Sequence, residues 1–79
     1  MAETFTIQGE TIDLIKLVKA AGLSDTGGMA KRLIEEGLIT VDGKIEHRKA
    51  KKIRDGQRIS FNNHTIIVRS SSSTFDRDS

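Results

Sequence analysis

Apolar positions along this 79-residue chain change their period twice. Residues 4–8, TFTIQ, alternate polar and apolar, the period-two pattern of a half-buried strand, and Gly9 ends it. From there the spacing turns helical: Ile12, Leu14, Ile15, Leu17, Val18 and Ala21 recur on one stripe, Thr11 is placed to cap the helix with Asp13 in its first turn, and Gly22 stops the pattern. A second helix follows LSDTGG, with Asp25 or Thr26 as cap, Met29, Ala30, Leu33 and Ile34 on its apolar face, and Gly37 as terminator. Lys31 and Arg32 fall on its polar side.

Period two then returns. Ile39 and Val41 alternate with Thr40, Asp42-Gly43 offers a two-residue hairpin turn that tolerates positive φ, and Lys44 to Glu46 form the returning strand. Residues 47–57 contain one large apolar residue, Ile53, too little for a helix or a long strand, so they read as a surface loop closed by Asp55-Gly56. RISF (58–61) and HTIIV (64–68) flank Asn62-Asn63 as a second hairpin. Residues 70–79 are rich in Ser and read as a disordered tail, which leaves residues 1–69 as a single domain. The order strand, helix, helix, strands predicts an α+β fold, two packed helices on a small, largely antiparallel sheet.

Composition sharpens this picture. A domain of this length buries only about 60% of its unfolded surface, and with Trp, Tyr, Cys and Pro absent the core must come from Ile, Leu and Val with Phe5 and Phe61. No disulfide is available, no signal-peptide pattern is seen, and no run approaches the roughly 20 apolar residues of a membrane span. A cytoplasmic location is expected, with no membrane partner.

The net charge of +2 conceals a segregation. Met1 to Gly43 carries four Lys or Arg against seven Asp or Glu, Lys44 to Arg58 seven against two, and Ile59 to Ser79 two against two, giving balances of −3, +5 and 0. A block of one sign creates a local potential that attracts a polyanion. Its densest part is Arg48 to Arg54, five cations in seven positions.

Catalysis needs a nucleophile with its base, paired carboxylates in a cleft, or metal ligands at usable spacing. None is found here. His47 and His64 stand 17 residues apart without Cys, and Glu35-Glu36 at the end of an amphipathic helix read as solvated. The sequence therefore predicts no enzyme, no cofactor, no metal and no small-molecule substrate. Thr26-Gly27-Gly28 offers two readings: glycines that let an anion approach the N–H groups at a helix start, or a turn with a tight packing contact. The adjacent Lys31 and Arg32 favour the first.

Read together, the segments LIKLVKAAGL, TGGMAKRLIEEG, ITVDGKIEHR and KKIRDGQRI resemble the RNA-binding domain named after the fourth protein of the small ribosomal subunit, over about Ile12 to Val68. The resemblance is to its small free-standing bacterial members, with an added N-terminal strand that would pair with the sheet. It implies the αL arrangement, in which two packed helices and the following loop share one RNA-facing surface, with acidic residues facing elsewhere. The matching RNA-contact positions are Thr26, Gly27, Gly28, Lys31, Arg32, Lys44, Arg48, Lys49, Lys51 and Lys52, and Arg54 extends the basic run. Structured RNA, ribosomal or transfer RNA, is the implied partner, and a ribosomal particle the wider setting.

Three Phe and no Tyr or Trp leave little for base stacking, since Phe61 is expected in the core and Phe75 in the tail. Recognition is therefore expected through phosphates and RNA shape, with Arg32 and Arg48 suited to bidentate contacts. A different class of function, a protein-interaction module docking an acidic partner, uses the same charge. Duplex DNA binding by a helix-turn-helix lacks base-reading side chains beyond Lys31 and Arg32.

Overall fold

The computed structural model describes residues 2–71, and over them the chain runs β1 (Ala2–Ile7), β2 (Thr11–Asp13), α1 (Leu14–Ala20), α2 (Gly27–Glu35), β3 (Thr40–Val41), β4 (Lys44–Ile45), β5 (Lys52–Arg54), β6 (Arg58–Phe61) and β7 (His64–Ser70). Five strands form one sheet in the order β1-β7-β6-β3-β4, and β2 pairs with β5 in a second, two-stranded sheet. All pairs are antiparallel except β1 with β7. The fold is α+β, as the element order predicts.

Both hairpins form where the turn residues place them. Asp42 and Gly43 adopt φ of 54° and 86°, and Asn62 adopts 60°, the left-handed conformations that tight hairpin turns require. Inward strand positions Ile59, Ile66 and Val68 meet Leu14, Leu17 and Val18 of α1 and Ala30 and Ile34 of α2 in one buried cluster. Leu33, Phe5 and Phe61 pack against it partly buried, whereas Met29, read as part of the apolar face, is about half exposed and lies outside it.

Two expectations are corrected. Thr11 does not cap α1. It begins β2, which pairs Thr11, Ile12 and Asp13 with Arg54, Ile53 and Lys52, so the helix starts two residues later with Asp13 as N-cap. Nor are residues 47–57 a loop throughout, because β5 lies within them and its Ile53 is fully buried. One apolar residue suffices here because the strand is three residues long and its pairing is supplied by β2, some 40 positions away. At the other end, β7 continues through Ser70, whose hydroxyl donates to the Gly9 carbonyl at 2.6 Å. The remainder of the expected tail, 72–79 with Phe75, lies outside the described residues.

Candidate nucleic-acid interface

The basic segment is pinned to both helices. A helix leaves its first N–H groups without intrahelical partners. In α1 the Leu14 and Ile15 N–H groups donate to the carbonyls of Lys51 and Lys49, at 2.9 and 3.0 Å. Asp13 makes no side-chain capping bond, because its carboxylate instead accepts from Lys52 Nζ at 2.6 Å. Basic-loop carbonyls thus do the work of a cap. At the other helix, His47 Nδ1 donates to the Glu35 carbonyl at 3.2 Å, and a Cβ placed on Gly37, where φ is 78°, would come within 3.1 Å of the His47 ring. The loop therefore bridges the start of α1 and the end of α2.

Thr26 caps α2 as expected, its hydroxyl accepting from the Met29 N–H at 3.1 Å while Ser24 Oγ donates to the Thr26 carbonyl. The reading of Gly27-Gly28 as a tight packing contact finds no support. Among the described residues, a Cβ built on either glycine meets nothing within 4 Å, and neither glycine has a positive φ. Internal packing does not require glycine at these positions, and the space beside the helix start is open.

Carboxylates do not all face elsewhere. Arg32 Nε pairs with Glu36 at 3.0 Å, Arg48 Nε with Glu46 at 3.2 Å, and Lys52 with Asp13. Hydrogen bonding from Lys52 holds the Asp13 carboxyl below the usual carboxylate range, and the Arg48 backbone N–H does the same for Glu46. The three pairs differ in tenacity. Arg32–Glu36 is an exposed i,i+4 pair worth about 0.3–0.5 kcal/mol, so Glu36 holds Arg32 only weakly. Glu46 is mostly buried and accepts from both the backbone N–H and the Nε of Arg48, which fixes the course of the loop.

The candidate residues thus fall into groups. Arg48, Lys49, Lys51 and Lys52 gather where α1 begins and α2 ends, and Arg32 lies in the last turn of α2 nearby. Thr26, Gly27 and Gly28 occupy the opposite end of α2, about 12 Å away at 1.5 Å per residue, with Lys31 between. Lys44 sits on the sheet-edge strand β4, and Arg54 on β5 opposite Thr11. Sequence reasoning missed Asp13, Glu46 and His47 as positioning residues. Glu46 and Arg48 stand two apart in extended chain, a spacing that puts side chains on one side and could have signalled the pair. Nothing local announces Asp13 with Lys52, 39 positions apart.

Comparison with known proteins places the fold among relatives. YbcJ of Escherichia coli (strain K12) is 44% identical over 57 residues, which cover 72% of this chain and 81% of that protein, and YbcJ of Shigella flexneri matches equally. The solution structure of E. coli YbcJ, described as revealing an αL motif involved in RNA-binding, superposes with a TM-score of 0.65 at 40% identity, covering 84% of this chain and 85% of that one. The ribosomal protein S4e of Thermoplasma acidophilum gives a TM-score of 0.62 at 26% identity, covering 72% of this chain and 30% of that one. The S4 domain itself matches residues 5–69, from the middle of β1 to the end of β7. With two helices packed on a largely antiparallel sheet and a basic loop tied to both of them, the chain belongs to the S4-domain family.

Proposed function

We propose that this protein binds structured RNA, ribosomal or transfer RNA, through the phosphates and shape of a folded stem or junction and without catalysis. The observation that supports this reading is the bracing of the basic segment, by its Lys49 and Lys51 carbonyls to α1, by His47 to the end of α2 and by Glu46 to Arg48. Thr26, Gly27, Gly28 and Lys31 extend the contact along α2, and Lys44, Lys51, Lys52 and Arg54 contribute from the flanks. Each phosphate neutralised releases condensed counterions, so five or six contacts give a slope of log affinity against log salt of roughly −4 to −5. Titration of a ribosomal or transfer RNA stem-junction across a salt series tests this, and a slope near zero would reject it. The alternative, docking of an acidic protein, predicts complexes in cell extract that survive ribonuclease.

The double glycine supplies a second test. Ala has the higher helix propensity by about 1 kcal/mol, and a Cβ is accommodated at Gly28. Gly28→Ala is therefore expected to leave the urea midpoint unchanged or raised and yet to weaken RNA binding several-fold, because the added methyl stands where a phosphate approaches the free N–H groups. Equal affinity for both proteins would remove the turn from the interface.

A further inference from the structure

Between the end of α1 and the β6–β7 turn lies a recess of about 260 Å³, lined among others by Glu3, Gly22, Leu23, Phe61, Asn62 and His64. Phe61, expected wholly within the core, is only partly buried, and it faces His64 across the turn in the strand register. We infer that this recess receives one unpaired nucleobase of the bound RNA, stacked on Phe61, an inference that rests on the RNA-binding reading above.

Four observations converge on a base. The volume falls below the roughly 300–1,000 Å³ of clefts for drug-sized ligands, which suits a single heterocycle. Phe61 supplies an aromatic surface in a protein otherwise almost without one, and base-on-aromatic stacking is tolerant of sequence. At the rim, Asn62 and His64 offer donors and acceptors, while the Glu3 carboxylate repels phosphate and accepts from an exocyclic amine. The recess also adjoins the phosphate site: Leu23 lies three residues before the Thr26 cap, at most about 11 Å along the chain.

The first experiment uses adenosine, which carries a base without phosphate and does not probe the basic loop. Titrated into the full chain, it is expected to give saturable amide shifts at Leu23, Asn62 and His64, with uridine, which lacks an exocyclic amine, binding more weakly. Absence of shifts, or shifts centred on residues 48–52, overturns the inference on the unaltered protein. The second compares a fully paired RNA stem with the same stem carrying one unpaired adenine. The unpaired base is expected to raise affinity about tenfold, within the range of single-base stacking, and Phe61→Leu, which keeps an apolar side chain in the partly buried site, should abolish that difference. Equal binding of both stems by the unaltered protein overturns the recess and leaves the RNA reading standing. Failure of both stems to bind overturns both readings.

Discussion

Reversing the charges of Lys31 and Lys49 together is expected to weaken binding to an RNA stem-junction on the order of 100-fold without lowering stability. Both side chains are exposed, and among the described residues neither forms an ion pair. Each is available to phosphate without first leaving a carboxylate. A hydrogen bond to a charged group contributes about 1.5–3 kcal/mol, and each lost phosphate contact should flatten the salt slope by about 1. Lys51 and Lys52 are poorer choices: Lys51 is partly buried, and Lys52 clasps Asp13. Arg69→Glu is the control, exposed on β7 opposite Thr6 and not among the candidate contact residues. If that variant loses as much affinity as the double lysine variant, general charge rather than a defined surface drives binding.

Ile53→Ala is expected to destabilise the fold by about 2–5 kcal/mol, the range for removing a buried aliphatic side chain. Ile53 is fully buried and stands opposite Ile12 in the β2–β5 pair. At roughly 0.05–0.15 kcal/mol per residue, a chain of this length has a total stability of about 4–12 kcal/mol, so the variant sits near the edge of folding. Its loss also frees the segment that caps α1 and carries Lys52 and Arg54. Ile53→Val, which keeps most of the volume, should lose only about 0.5–1.5 kcal/mol. Urea denaturation followed by circular dichroism separates the two, and a midpoint for Ile53→Ala matching that of the parent would place Ile53 outside the core.

Ile53 also shows where reading the sequence runs out. Hairpins at Asp42-Gly43 and Asn62-Asn63 were legible because a local conformational demand, positive φ, selects a local residue type. The α2 cap was legible to within Asp25 or Thr26, because a short side-chain oxygen is needed there to accept from a free N–H, and Thr26 supplies it. A three-residue strand has no period to detect, and β2 and β5 exist only because each completes the other's backbone hydrogen bonds. The charge cluster was visible in the sequence. Its division into cations braced by Asp13 and Glu46 and cations left available depends on contacts that composition does not encode.

The parallel union of β1 with β7 has a consequence beyond the basic surface. On its other side β7 is paired with β6, so β1 covers the one edge of β7 that would otherwise be open, and that edge runs along Thr65-Ile66-Ile67-Val68. Short uncharged β-branched segments with free backbone donors are the seeds of intermolecular zippering. The N-terminal strand, with Glu3 and alternating Thr on the outermost rim, therefore shields that ribbon: fraying of β1 would leave the backbone groups of Thr65 to Val68 on that side unpaired, whatever the state of the helices.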